Sequence, residues 1–422
     1  MVNYRSLSSV SDHRAESDKA VFQHIRHPGF TFAAGVACLT TALSLALPSP
    51  LIGHAHAAST VSLSLRAILP AETYADGPAS GSALASKKKI NGIAVPFTSQ
   101  AAGSFTGITR GQYNNTWLLL AGGGFDGKAN SADLLLRAML IDIDWRKTDG
   151  TGSGAVNLGD WIGLSDPHKL ISAAIRNSTD PTRPLTNGDY TLRGIGRATD
   201  QSLWTVDSAA NMLHFNADGS LSEAPHSLTG IADGAVQDIG LFPDGQSLLV
   251  AFQSAGKIEA QVYTTAGAVK GNPLGYTLDA ASDQTRGWLP INDHQALVIE
   301  QDDKQNAEAK IKRIYLIDLN NAPNGTLTKT LLADLLKIDD PHGLGTDKVF
   351  GSSANQFGLA PFSFPYQTIG GVYPLDSKTL IVFNDNHFPF GTGRDASKAA
   401  PTEMIGLTLP AALDVRLNVV QQ

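Results

Sequence analysis

The stretch Pro243-Asp244-Gly245-Gln246-Ser247-Leu248-Leu249-Val250-Ala251 sets a tight polar turn directly against an apolar run. Asp caps its own backbone and Gly accepts positive φ, so the first half predicts a turn, and the unbroken Leu-Leu-Val-Ala predicts a strand covered on both faces. The pattern recurs. Tyr113-Asn114-Asn115-Thr116 precedes Trp117-Leu118-Leu119-Leu120, and Thr199-Asp200-Gln201-Ser202 precedes Leu203-Trp204-Thr205-Val206. Asn292-Asp293-His294-Gln295 precedes Ala296-Leu297-Val298-Ile299, and Leu375-Asp376-Ser377-Lys378 precedes Thr379-Leu380-Ile381-Val382-Phe383.

Each copy is expected to be the tip of a β-hairpin. The turn residues Asn115, Asp200, Asp244, Asp293 and Asp376 lie 85, 44, 49 and 83 positions apart. These are one or two multiples of a unit of about 40 to 50 residues, the period of a four-stranded propeller blade. The spacing predicts an all-β fold, a single β-propeller of six blades, with seven as the alternative. Arg137 to Trp145 and Ile311 to Leu319 are expected as outer strands, and Thr330 to Lys337 and Pro167 to Ala174 as short helices. Thr60 to Leu65, or the terminal Asp414 to Val420, is expected to close the ring and cover a sheet edge. Thr148 to Gly154 and Gly343 to Pro361 are expected as loops.

Residues 1–57 read as an export signal: Arg26 and His27 precede an apolar stretch from Phe30 to Ile52, and Ala55-His56-Ala57 offers the small-x-small pattern of a cleavage site. An uncleaved anchor is the alternative, because the apolar run approaches the length that spans a bilayer. Cleavage after Ala57 leaves a propeller domain over 58–422, periplasmic or secreted and without stable membrane insertion. That part contains no cysteine, since the chain's single cysteine is Cys38, which excludes a disulfide framework and thiolate chemistry. Its 28 basic residues against 36 acidic ones imply no nucleic-acid face. A monomer is expected.

With the strands placed, the chain resembles the phytase-like ("esterase-like activity of phytase") propeller family from about Ala71 to Leu409. The resemblance rests on motifs in order. Phe105-Thr106-Gly107-Ile108 is followed by Gly124-Phe125-Asp126-Gly127-Lys128-Ala129-Asn130-Ser131-Ala132-Asp133, by Leu164-Ser165-Asp166-Pro167 and by Arg183-Pro184-Leu185-Thr186-Asn187-Gly188-Asp189-Tyr190. Val298-Ile299-Glu300-Gln301-Asp302-Asp303 with Ala309-Lys310-Ile311-Lys312-Arg313-Ile314-Tyr315 is similar to the family's "ERD…AKFKKIY". Asn384-Asp385-Asn386-His387-Phe388-Pro389-Phe390, Gly393-Arg394 and Thr402-Glu403-Met404-Ile405 are similar to its "NDNNFPF…GR…TEFI". In four places a family glutamate is replaced, by Arg193, Ser208, Gln237 and Gly370.

The resemblance implies a phosphoester hydrolase, with Asp385, Glu300 and Asp207 as catalytic carboxylates. Arg137, Arg394, Lys310, Asn384 and Asn386 are implied contacts to a small anionic or phosphorylated ligand. Asp189, Asp207 and Asp385 are the implied set for calcium or another divalent cation, since carboxylate-bound cations neutralise phosphoryl oxygens and activate water. The four replacements reduce metal affinity and favour an alternative, a non-catalytic propeller that binds a small ligand, a polymer or a protein partner. The residues also admit a plainer reading, with Asn384-Asp385-Asn386 as an Asx-rich turn and Asp133 with Arg137 as a blade-fixing ion pair. His214 and His387 stand near strand ends, as bases or as hydrogen-bonded loop residues. The nucleophile-elbow pattern Gly-Xaa-Ser-Xaa-Gly is absent from 58–422.

Overall fold

Every predicted turn becomes the connection between the innermost strand of a sheet and the apolar strand outside it. In the third blade Val236–Leu241 turns through Asp244 into Ser247–Ser254, then Lys257–Thr264 and Val269–Tyr276, all antiparallel. The Asp244 carboxylate accepts the N–H groups of Gln246 and Ser247, at 2.8 and 3.1 Å, and so holds the turn closed. Leu248, Leu249, Val250 and Ala251 are fully buried, because sheets pack on both faces of this strand.

The computed structural model describes residues 60–113, 115–350 and 362–417, and the export signal expected over 1–57 lies outside them. Among the described residues the blades are five. The second comprises Leu192–Arg197, Leu203–Asp207, Asn211–Phe215 and His226–Ser227; the fourth comprises Gln284–Pro290, Gln295–Gln301, Lys312–Asp318 and Lys329–Asp334. The first is built from Ile108–Arg110, Thr116–Ala121, Arg137–Asp144 and Ala155–Gly163. The fifth takes Thr368–Pro374, Thr379–Asp385 and Thr402–Thr408 from one end of the propeller sequence and Ser62–Leu69 from the other. Leu63 pairs with Leu407 and Leu69 with Thr402, antiparallel.

The propeller is thus confirmed, and six blades are corrected to five. The intervals of 85 and 83 do not hide extra units. They contain long connections that pack without adding a sheet among the described residues: 164–191 after the first blade, anchored by the buried Arg183–Asp166 ion pair at 2.9 Å, and the described stretches 335–350 and 362–367 before the fifth inner strand. The strands expected as outer ones, 137–145 and 311–319, are third strands, with Ala155–Gly163 and Lys329–Asp334 outside them. Neither expected helix forms. Thr330, Leu331 and Ala333 instead satisfy their backbone against the 312–318 strand, a tertiary override of local propensity, and 167–174 is turn and irregular structure. Ring closure falls to the N-terminal strand, as one of the two expectations had it, whereas Asp414 to Leu417 forms no strand. No helix among the described residues is long and apolar enough to cross a membrane.

The inner strands meet backbone to backbone. A Cβ on Gly107 would lie 2.8 Å from the nitrogen of Ile195, one on Gly194 2.4 Å from the oxygen of Ile239, and one on Gly240 2.1 Å from the oxygen of Trp288. A Cβ on Gly287 would touch Val372, and one on Gly370 would lie 2.9 Å from the oxygen of Phe105. Each contact joins one blade to the next and the last returns to the first, which closes the ring about a narrow channel.

Candidate functional site

The inner strands run in the same direction along the channel, so their first residues gather at one mouth and their last at the other. At the first mouth stand Arg193, Gln237 and Arg286, from the second, third and fourth blades, with Ile369-Gly370 on the fifth and Thr106-Gly107 on the first. The ladder register slips just beyond these positions, between Arg193 and Gly196, Val236 and Asp238, Arg286 and Leu289, and Ile369 and Gly371. Such bulges re-aim side chains beside functional sites. Gly194 at φ 59° and Gly287 at φ 61° supply the left-handed backbone that follows each arginine.

Below this level the channel narrows to a waist lined by Gly107, Gly194, Gly287, Gly370 and Asp238, with about 20 Å³ of free space, room for roughly one water. Asp238 stands where the other inner strands carry glycine. Its carboxylate accepts N–H groups from Ile239 at 2.8 Å, Gly287 at 2.5 Å and Trp288 at 3.3 Å. Burial pushes the carboxyl up to about 6, although those N–H groups and Arg286 oppose the rise. At the opposite mouth Arg110, Arg197, Phe242 and Tyr373 surround Leu417, brought there by a C-terminal run whose Arg416 N–H bonds the Ile291 carbonyl at 2.7 Å.

On the fifth blade the second strand ends at Asp385, opposite Thr368. The Asp385 carboxylate accepts the His387 N–H at 2.9 Å, closing an Asx turn with His387 at φ 44°. That turn places His387 Nε2 2.8 Å from Thr368 Oγ1 and 4.0 Å from Asp385 Oδ2, with the imidazole partly open to solvent. Asp385 and Asp238 both act electrostatically on Arg193 and Arg286, which makes these four side chains one constellation, joined to His387 and Thr368 through Asp385. Burial and the neighbouring Arg193 charge lower Arg286 to about 9, with Asp238 and Asp385 opposing.

Of the residues singled out in the sequence, Asp385 belongs to this constellation, and the others are committed elsewhere. Glu300 is fully buried on the fourth blade, bonded to Tyr276 Oη, Ser282 Oγ and Lys329 Nζ at 2.8, 2.6 and 2.5 Å. Asp207 caps the turn to Asn211, whose N–H it accepts at 2.7 Å, and burial raises its pKa. Asp189 accepts the Thr186 and Arg176 N–H groups, at 2.9 and 2.8 Å. Asn384 and Asn386 brace neighbouring backbone at Glu403 and Ser104. Arg394 bonds Glu403 at 2.9 Å, and Lys310 gives its backbone N–H to Asp302.

Arg137 stacks on Trp161 at 4.0 Å, and Asp133 caps the turn at Gly81 and Ser82 instead of pairing with it. His214 bonds Glu223 at 2.9 Å and stacks on Trp204. Asp189, Asp207 and Asp385 do not converge: among the described residues no three His, Cys, Asp or Glu side chains stand close enough to hold an ion. A calcium ion, which takes six to eight oxygen ligands, does not fit this set.

Sequence reasoning passed over Arg286 and Thr368. Three of the four replaced family glutamates, at Arg193, Gln237 and Gly370, lie on the ring of channel-mouth residues. The signal for the fourth blade's member was the repeated dipeptide Arg193-Gly194 and Arg286-Gly287.

Residues 100–388 match the family model "Phytase-like: Esterase-like activity of phytase". No curated protein matches the chain. Among solved structures, a luciferin-regenerating enzyme is similar at 12% identity and a TM-score of 0.34, over 74% of this chain and 80% of that one. Hydrazine synthase of Kuenenia stuttgartiensis is similar at 9% identity and a TM-score of 0.34, over 70% and 81%.

Proposed function

This chain belongs to the phytase-like family, and from that premise we propose that it is an exported phosphoester hydrolase whose reaction takes place at the channel mouth beside His387. The observation that carries the reading is the meeting of His387, Asp385 and Thr368, with the Asp385 carboxylate acting electrostatically on Arg193 and Arg286. An imidazole is the side chain best matched to proton transfer near neutral pH.

In this reading the Thr368 hydroxyl sets the rotamer of the ring, and Asp385 stabilises the imidazolium through space. His387 takes a proton from a water as its oxygen bonds to phosphorus. The ester P–O bond breaks, and the departing alkoxide recovers the proton from the imidazolium. The export part of the proposal rests on the leader sequence.

A second reading, ligand binding without turnover, is favoured by the commitment of Asp207 and Glu300 to protein donors. Residues 58–422, assayed with 4-nitrophenyl phosphate, separate the two. Turnover that falls on the order of a hundredfold in His387→Gln supports hydrolysis. Binding without release of nitrophenol would establish the second reading instead.

A further inference from the structure

We propose that the opposite mouth of the channel is a binding site for a small branched aliphatic carboxylate, and that the C-terminal run through Leu417 is a strap that the ligand displaces. The site is separate from the reaction proposed beside His387, and neither depends on the other.

Three observations lead there, the first of them charge. Arg110 ends the first blade's inner strand and Arg197 ends the second's, so both line one pocket at this mouth. Arg197 gives Nη1 to the Arg110 carbonyl at 3.4 Å, while its Nε is buried with no hydrogen-bond partner. Burial lowers the Arg197 pKa, and no carboxylate opposes the fall. Arg110 lies over the Trp117 ring at 5.3 Å and acts on the Tyr373 hydroxyl, which burial pushes up to about 12 and so keeps neutral. The chain thus brings two guanidinium groups to the pocket without a carboxylate to neutralise them, and arginine's planar fork matches a carboxylate edge.

The second observation is shape. Ile195, Leu241, Phe242 and Leu289 complete the wall, and Leu417 is seated among them. The molecule itself therefore shows that an isobutyl group fits beside the two arginines. With Leu417 in place only about 30 Å³ is free, room for a water or two. A ligand must take the place of Leu417 and cannot bind beside it.

The third observation is how lightly the strap is held. Asp414 to Leu417 forms no strand. The run is tied by the Leu413 and Arg416 N–H groups to the Ser377 and Ile291 carbonyls, both at 2.7 Å, and by the Asn292 amide to the Asp414 carbonyl at 2.8 Å. Segments with so few bonds and such exposed backbone open at low free energy. A neighbouring cavity of about 480 Å³ shares Phe242 and Pro243 with this pocket and is lined by Arg416. Lifting residues 416 and 417 joins the two spaces into one cleft.

The test is calorimetric titration of residues 58–422 with 4-methylpentanoate, whose branched end copies a leucine side chain, at low ionic strength. Acetate and 4-methylpentanamide are the comparison arms. Saturable 1:1 binding of 4-methylpentanoate is expected, with acetate at least about tenfold weaker for want of the apolar end. The amide is expected to be weaker by at least about tenfold for want of the charge, and Arg110→Gln and Arg197→Gln to weaken the acid by a similar factor. Leu417→Gly is expected to tighten binding several-fold, because the strap then competes less well for the pocket. Absence of saturable binding, equal affinity for acid and amide, or an affinity unchanged in folded Arg197→Gln would overturn the site. Leu417→Gly that binds no more tightly than wild type would overturn the strap. If the variants do not fold, the wild-type ranking of the three ligands decides the proposal alone.

Discussion

Replacing Glu403 by Gln should remove the charge at the centre of the fifth blade's polar core. The Glu403 carboxylate is fully buried and holds two guanidinium groups, Arg66 through Oε1 at 2.7 Å and Arg394 through Oε2 at 2.9 Å, as well as the Tyr366 hydroxyl at 2.5 Å. Removing one partner from a buried ionic cluster costs about 3–5 kcal/mol, because the remaining charges stay dehydrated. Spread over 365 residues with an unfolding entropy of roughly 2.1 cal/mol/K each, this lowers Tm by about 4–7 °C.

The acid limb gives an independent check. Burial pushes the Glu403 carboxyl up, but Arg394 and Arg66 together bring it down to about 2, from 4.5. The folded pKa is the lower one, so the stabilisation is present above the unfolded pKa of 4.5 and is lost as pH falls toward 2; its full size is about 3 kcal/mol. The stability gap between wild type and Glu403→Gln, measured by urea unfolding, should therefore narrow by about 1.4 kcal/mol between pH 7 and pH 3.5. A gap below about 1 kcal/mol at pH 7, or one that ignores pH, would refute the reasoning.

Gly194→Ala places a Cβ 2.3 Å from Asp238 Oδ1 at φ 59°, and a loss of at least about 2 kcal/mol is expected in chemical unfolding. Millimolar calcium should shift Tm by less than about 1 °C, because binding to the native state is the only way it could stabilise and no cluster of ligands is assembled among the described residues. A clear rise would mean that carboxylates rearrange around the ion. A chain that begins at Pro70, without the strand Ser62–Leu69, should lose its cooperative thermal transition, since Leu63 and Ala67 leave the core and the Thr402–Thr408 strand loses its outer partner.

The architecture was legible where local chemistry and tertiary context agree. Asp244-Gly245 and its four counterparts marked a turn before a doubly buried strand, and each is the first hairpin of a blade. Blade number was not legible from spacing, because 164–191 lengthens the interval between turns while packing as loop. Lys329–Asp334 reads as helix in isolation, and only its pairing with Lys312–Asp318 fixes it as strand. Asp385 and His387 were visible as an Asx-rich motif. Glu300 carried the same signal and proved to be a core residue, since a single sequence does not reveal that Tyr276, Ser282 and Lys329 surround it. The arginine pair lies 93 positions apart, and only ring closure brings its members together.

The sharing of the fifth blade between residues 62–69 and 402–408 has a bearing on how the molecule is made. Until the last strand is synthesised and delivered, the first lacks the partner that takes most of its length and pairs only briefly with residues 146–147 and 155, so the disc stays unlatched through nearly all of biogenesis. Once latched, both tails are pinned at one seam. Cutting the chain at a distant loop such as Gly256 and splicing the old ends beyond that seam should leave the finished disc intact while changing the order in which it assembles.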